Sequence, residues 1–183
     1  MKEKKKSKSQ ILRLTLILFL VSALTSGVLG YTNSLTADRI KEQKQQATAK
    51  AYNEVLPFEG DYVEVTEFDK ASFPTVDTIS KAGEEGYVVE MTFSGAQGNI
   101  TAVVGVDSSH KATGVSVISH SETPSLGARI TEEGFRAKFV GAEEGTALKN
   151  AGGTIEAITS ATISSQAIVD SVNTAIAAVV ALG

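Results

Sequence analysis

The sequence predicts an α+β protein: one N-terminal transmembrane helix, then one domain whose twisted, mainly antiparallel sheet is covered by helices. Three observations support this class. An uncharged apolar run occupies residues 14–31, short alternating segments follow one another between residues 62 and 118, and an amphipathic pattern fills residues 163–182. Because sequential short strands joined by short turns pair most simply with their neighbours, the expected sheet is an antiparallel meander.

The apolar run is flanked by positive charge on its N-terminal side. Five lysines precede it, namely Lys2, Lys4, Lys5, Lys6 and Lys8. Residues 11–31 are long enough to cross the apolar core of a bilayer, and Arg13 can reach the headgroups. Since cytoplasmic flanks carry the excess of Lys and Arg, we expect residues 1–10 to be a basic cytoplasmic tail. The rest of this single-pass protein would then be extracytoplasmic, attached to the cell membrane.

A cleaved signal peptide is the alternative for this segment. Such a peptide has a shorter apolar region that ends in a small-x-small site, and residues 23–27 offer only a poor one. An uncleaved span is therefore the better prediction. The polar residues that follow, rich in Ala, Gln and Lys, indicate a helical stalk over residues 32–56. This stalk would lift a domain of residues 57–183 off the membrane.

The domain begins with segments that have strand patterns. Alternating or β-branched sequences predict strands at residues 62–67, 87–93, 100–106 and 114–118. Turns are expected at residues 95–99 and 107–111.

Its C-terminal half has helical patterns. Apolar residues at helical spacing predict a helix over residues 130–139, and one apolar face runs through residues 163–182. A short apolar run, residues 154–158, is expected to be a strand that leads into this last helix.

Composition excludes several classes of site. The chain has no Cys, so it can form neither a disulfide nor a thiolate-ligated cluster. Its net charge of −4, with the lysines gathered at the N-terminus, argues against nucleic-acid binding. Only His110 and His120 could serve as imidazole ligands, and no acidic cluster accompanies them. No metal site and no catalytic residue are predicted.

A turn crowded with hydroxyls stands at the start of the last helix. It reads Thr159-Ser160-Ala161-Thr162-Ile163-Ser164-Ser165. The first N–H groups of a helix lack backbone partners and its dipole favours negative charge, so this turn suits a phosphate. One hydroxyl could be a hydrogen-bond donor to that phosphate or its covalent ester partner. Taken alone, Thr162 could simply be the helix N-cap, a role that Ser164 or Ser165 could share.

Two motifs in this sequence resemble one known family. Residues 159–164 are similar to the flavinylation motif of FMN-binding domains, Ser/Thr-Gly-Ala-Thr-x-Ser/Thr. Residues 120–127, His-Ser-Glu-Thr-Pro-Ser-Leu-Gly, resemble the loop His-x-Glu-Thr-Pro-Gly-Leu-Gly of the same family. The resemblance extends over residues 87–182. The chain departs from the motifs at Ser125 and Ser160, which stand where the family has Gly. If the turn at Ser160 needs a positive φ, Ser costs energy there.

The resemblance implies a covalent cofactor. FMN would be esterified through its phosphate to Thr162 by a flavin transferase, which makes the chain a phosphoprotein. The loop would lie against the flavin ring, and a carboxylate at Glu122 could lower the flavin potential. The implied cofactor-binding residues are Glu122, Thr123, Leu126, Gly127, Ser160, Ala161, Thr162, Ser164 and Ser165.

A single anchor followed by a single domain of this kind is most similar to the G subunit of Rnf electron transport complexes. That family implies a flavoprotein electron carrier, a redox component of a translocase rather than a stand-alone enzyme. Its partners would be other membrane subunits of an Rnf-type complex, which passes electrons between ferredoxin and NAD and couples this to ion transport.

Other functions stay open at this point. Within flavoproteins, the alternatives are the C subunit of the sodium-pumping quinone reductase and a free-standing carrier for extracellular electron transfer. A cofactor-free extracytoplasmic binding or scaffold module belongs to a different class. A Thr-nucleophile hydrolase is a poor alternative because no convincing base accompanies the hydroxyls.

Overall fold

A computed structural model describes residues 2–183, and side chains from residue 10 onward. Helix α1, Lys2–Val55, is the first element. The chain separates into two compact units, one up to Gln45 and one from Gln46 to Gly183. In the first unit the side chains of residues 10–45 are exposed. An 18-residue window of this helix has a mean hydropathy of 2.0 and no buried residue, so by length and composition it could cross a membrane.

The second unit contains a five-stranded antiparallel sheet in the order β1-β2-β3-β4-β5. The strands are β1 Val63–Glu64, β2 Val76–Ala82, β3 Gly86–Ser94, β4 Asn99–Asp107 and β5 Ala112–His120. Every neighbouring pair is antiparallel. The predicted α+β class and the meander are therefore confirmed.

Helix α3, Thr162–Val180, covers one face of the sheet. Its apolar side chains, with Ile168, Val172 and Ile176 fully buried, pack with alternate residues of β3 and β4 into the main core. This helix is also apolar and long enough to span a bilayer, but 56% of the relevant window is buried. It is the core helix of the domain.

The opposite face of the sheet has a smaller core. The last residues of α1 supply Ala51 and Val55, and these pack with Leu56 against Val88 and Val103 of the sheet. Because strand side chains alternate between faces, Val88 and Val103 point away from the core under α3. The sheet is thus covered by helices on both faces.

A polar contact reinforces this second face. Glu54 Oε1 lies 2.5 Å from Arg136 Nη1, and the Ser116 hydroxyl of β5 donates to Glu54 Oε2 at 2.6 Å. Burial by itself would raise the pKa of Glu54, but the Ser116 hydroxyl and the Arg136 guanidinium outweigh it and hold that pKa below its ordinary value.

Three predicted elements differ from the structure. Of residues 62–67, only β1 is a strand, although the Val65 N–H also donates to the Ile79 carbonyl. The helix predicted at residues 130–139 is replaced by three short helices: a 3-10 helix Gly127–Thr131, α2 Glu133–Arg136 and a 3-10 helix Ala137–Phe139. The strand predicted at residues 154–158 is wrong. Only a single bridge, between Leu148 and Ile155, forms there. The apolar run arises because Ile155 and Ile158 pack into the main core without belonging to a strand.

Candidate functional site

The first turn of α3 presents unpaired backbone donors. Ala161 is the N-cap, its carbonyl accepts from the Ser165 N–H at 2.9 Å, and no side chain caps this end. The N–H groups of Thr162, Ile163 and Ser164 therefore have no partner within the helix. Since Ala161 holds the cap position, the alternative that Thr162 serves as N-cap is excluded.

The hydroxyls around this turn are in different states. Ser165 is buried, accepts from the Ile158 N–H at 3.0 Å and donates to the Ala161 carbonyl at 2.9 Å. Ser164 is buried and donates to Glu122 at 2.6 Å. Thr162, by contrast, is exposed, and within the described residues its hydroxyl has no hydrogen-bond partner. Thr162 thus has a free, accessible hydroxyl.

This hydroxyl lies in a cavity of about 370 Å³ built by three segments of the chain. They are the tip of the β3–β4 hairpin, the loop after β5 and the start of α3. The lining residues are Ala96, Gln97, Glu122, Thr123, Leu126, Gly127, Ser160, Ala161, Thr162, Ile163 and Ser164. Of the residues predicted for the site, Ser165 alone does not line it; its hydroxyl instead holds residue 158 against the helix start. Ala96, Gln97 and Ile163 were not predicted.

Two exposed apolar side chains line the cavity, and no described Lys or Arg does. Leu126 is 44% exposed and Ile163 is 67% exposed at its rim. Among the described residues that line it, none is Lys or Arg. Arg129, which follows the cavity-lining loop by two residues, forms an ion pair with Glu132, with 3.1 Å between its Nε and Oε1 of the carboxylate. Residues 57–183 contain 7 Lys and Arg against 17 Asp and Glu. An anion in this cavity would therefore meet backbone N–H groups, hydroxyls and the helix dipole rather than a side-chain cation.

Glu122 is the charged residue of the cavity wall, and its carboxylate is occupied. Oε1 accepts from the N–H groups of Ala96 at 2.8 Å and Gln97 at 3.3 Å, while Oε2 accepts from the Ser164 hydroxyl. Its own N–H donates to Nδ1 of His120 at 3.2 Å. Glu122 is only 5% exposed.

Both serines that replace the motif glycines have left-handed backbones. Ser125 has φ 66° and Ser160 has φ 65°. The motif glycines therefore coincide with positions where the fold requires positive φ, and each Ser there costs on the order of 1–3 kcal/mol.

Among the side chains that the structure describes, no group of three or more from His, Asp and Glu is placed to hold a metal ion. His110 lies in an exposed turn with φ 60°, and His120 accepts the hydrogen bond from Glu122.

Comparison with known sequences covers most of the chain. The FMN-binding domain profile matches residues 95–177, and the RnfG N-terminal region profile matches residues 1–55. The G subunit of the ion-translocating oxidoreductase complex of Methanosarcina acetivorans is 36% identical over 175 residues, which cover 91% of this chain and 93% of that one. This chain belongs to the G-subunit family of ion-translocating oxidoreductases.

A second G subunit is similar to this chain over nearly the whole length of both. The G subunit of the Na⁺-translocating ferredoxin:NAD⁺ oxidoreductase complex of Acetobacterium woodii is 32% identical, with 91% of this chain and 90% of that one covered. A solved structure, the C subunit of the Na⁺-translocating NADH-quinone reductase from Parabacteroides distasonis, has the same fold. Its TM-score is 0.52 at 19% identity, over 76% of this chain and 92% of that chain.

Proposed function

We propose that this member of the G-subunit family is a membrane-anchored electron carrier of an Rnf-type complex, with FMN held as a phosphoester on Thr162. The observation that carries this proposal is the Thr162 hydroxyl at the first position of α3, which lines the cavity, is exposed and has no partner among the described residues. The next hydroxyls along the helix, those of Ser164 and Ser165, are buried and hydrogen-bonded. Ser160 also lines the cavity with an exposed hydroxyl, but it stands before the helix, at the motif position where the family has Gly. The relatives named as G subunits support the assignment to a multisubunit complex.

The residues fit such a group. The free N–H groups at residues 162–164 would face the phosphate, and the apolar side chains of Leu126 and Ile163 would lie beside the ring. Bound FMN would supply one- and two-electron transfer. The volume of about 370 Å³ lies within the range of small-molecule sites.

The electrostatics of the site favour a covalent link over reversible binding. A helix N-terminus contributes only about 0.3–1 kcal/mol to holding an anion at an exposed site. No described Lys or Arg lines the cavity, and the surrounding domain is strongly acidic. Reversible binding of a phosphate would therefore be weak, whereas an ester retains the cofactor permanently.

The esterification needs a flavin whose phosphate is activated, such as a flavin dinucleotide. The Thr162 Oγ1–P bond forms and the P–O bond of the pyrophosphate breaks. A base of the flavin transferase takes the hydroxyl proton, and a nucleoside monophosphate leaves. The chain supplies the exposed nucleophile at the end of a fixed helix.

The decisive experiment compares Thr162→Val with Thr159→Val, a matched change at an exposed hydroxyl that does not line the cavity. The full chain is co-expressed with a flavin transferase, purified in detergent and denatured, and its intact mass and visible absorbance are measured. We expect wild type and Thr159→Val to retain one FMN and Thr162→Val to retain none.

Covalent FMN in Thr162→Val would contradict the attachment site. A colourless wild-type protein would instead favour a cofactor-free scaffold. Because Thr162 is not a cap, loss of its hydroxyl should change the free energy of unfolding by about 0.5 kcal/mol or less, so unfolding would not explain a negative result.

The membrane topology is a separate part of the proposal. The lysines before residue 11 would stay in the cytoplasm and the domain would lie outside. A reporter that works only outside the membrane, fused after Gly183, should give signal. Signal from a cytoplasmic reporter alone would overturn this orientation.

A further inference from the structure

The Glu122 carboxylate connects all three segments that build the cavity. It belongs to the loop after β5, accepts two N–H groups from the β3–β4 hairpin tip and accepts the Ser164 hydroxyl from α3. These partners are 25, 26 and 42 residues away in sequence. A single buried side chain therefore belongs to one wall of the cavity and is hydrogen-bonded to the other two.

Two glycines make room for this carboxylate. A Cβ on Gly95 would overlap Oε1 of Glu122 and stand 3.1 Å from its Cδ. A Cβ on Gly127 would overlap Oε2 and stand 2.9 Å from Cβ of Glu122 and 3.0 Å from Oγ of Ser164. Neither glycine has a positive φ, so backbone conformation does not require Gly at either position. The close approach of Glu122 does.

We propose that Glu122 is a positioning residue: it sets the start of α3, and hence Thr162, against the loop and the hairpin tip. This inference rests on the proposed function, and it gives Glu122 a role through Ser164 rather than through the flavin. The carboxylate uses both oxygens on donors of the chain, and a carboxylate is the side chain that can accept on every side at once.

Replacement by glutamine tests this role at nearly unchanged volume. In Glu122→Gln the amide oxygen can still accept from residues 96 and 97, but its NH₂ group then faces Ser164. The hydrogen bond to Ser164 must reverse, so the first turn of α3 loses its charged acceptor.

Gly95→Ala tests the same contact without changing the carboxylate. Its Cβ would displace Oε1 of Glu122 and press on Cδ1 of Ile100 at 2.7 Å. Gly134→Ala is the matched control, because an added Cβ there meets nothing within 4 Å.

The first measurement needs no flavin. Isotope-labelled full-length protein is made without transferase, in detergent, and backbone amide signals are recorded for each variant. We expect Glu122→Gln and Gly95→Ala to shift the amide signals of Thr162, Ile163 and Ser164, although these lie far from both substitutions in sequence. Signals at residues 162–164 that match those of Gly134→Ala would overturn the proposal.

The second measurement is the rate at which the folded chain accepts flavin from the transferase. The rate is measured at a temperature well below the unfolding midpoint of every variant. A variant that has only lost stability is then still folded, and its uptake rate should not change. Roughly tenfold slower uptake is expected in Glu122→Gln, the factor that corresponds to about 1.4 kcal/mol. Uptake at the wild-type rate in that variant would contradict the positioning role.

The two measurements separate the two proposals. Failure of the wild type to take up flavin would overturn the proposed function, while the amide signals would still decide whether Glu122 sets the start of α3.

Discussion

Gly105 and Gly114 are partners across strands β4 and β5, and neither has a side chain where Val55 of α1 packs on the sheet. A Cβ on Gly105 would overlap the Thr113 hydroxyl and stand 2.7 Å from the Val55 carbonyl oxygen. A Cβ on Gly114 would stand at an ordinary 3.6 Å from Cα of Val55. The Thr113 hydroxyl also donates to the Val55 carbonyl. The end of α1 therefore approaches the sheet most closely over Gly105.

This asymmetry gives the first prediction. Gly105→Ala should lower the free energy of unfolding by about 1–3 kcal/mol, because the backbone at Val55 must move. Gly114→Ala, its cross-strand control, should be neutral or slightly stabilising, since the added methyl fits and the unfolded chain loses entropy. Denaturant unfolding of the full chain in detergent measures both. Equal losses in the two variants would contradict the geometry.

The left-handed serines give the second prediction. Ser125→Gly and Ser160→Gly should each stabilise the domain by up to about 1 kcal/mol. Relief of backbone strain should exceed the extra entropy of Gly in the unfolded chain. Ser109→Gly, at an exposed turn serine without positive φ, should instead be slightly destabilising. Thermal unfolding midpoints of the three variants check this order.

The Glu54 contacts give the third prediction, which concerns pH. Because the pKa of Glu54 is lowered in the fold, its charged form stabilises the domain above its unfolded-state pKa of about 4.3. That contribution is lost as pH falls through the lower folded-state pKa. The unfolding free energy of wild type should therefore exceed that of Glu54→Gln most at pH near 7, and the difference should shrink by a pH of about 3. A pH-independent difference would exclude this coupling.

The cavity rim gives the fourth prediction. Leu126→Asp should leave covalent FMN in place but lower its reduction potential by an amount on the order of tens of millivolts, because an added negative charge opposes reduction nearby. Val140→Asp is the control, since Val140 is 64% exposed and does not line this cavity. Spectroelectrochemical titration of both variants is the measurement. An unchanged potential in Leu126→Asp would mean that the loop does not lie against the ring.

Periodicity predicted the elements whose signal is local. Strands β3, β4 and β5 alternate or are β-branched, and α3 has one apolar face, so their sequences specify them. Strand β2 was not predicted because Asp77 and Lys81 interrupt its apolar residues, which are buried nonetheless. Residues 154–158 were predicted as a strand because a short apolar run indicates burial without indicating which element is buried.

The candidate site shows the same division. Motifs predicted the loop after β5 and the start of α3, because each of these segments is contiguous in sequence. Ala96 and Gln97 join them through the side chain of Glu122, and no local pattern indicates a contact across 25 residues. The sequence does contain a signal for Ile163, because a large apolar residue on the polar side of an otherwise amphipathic helix indicates a contact outside the core.

The two-sided covering of the sheet sets a limit on how the domain can be cut from its anchor. Ala51, Val55 and Leu56 close the second core against Val88 and Val103. A soluble fragment that begins after Leu56 would leave that apolar face open to water, and such faces promote aggregation. A fragment from Gln46 onward keeps the whole compact unit. Crystallisation, titration and transferase assays on a water-soluble form therefore depend on retaining the last ten residues of α1, which are as much a part of the domain's core as its own C-terminal helix.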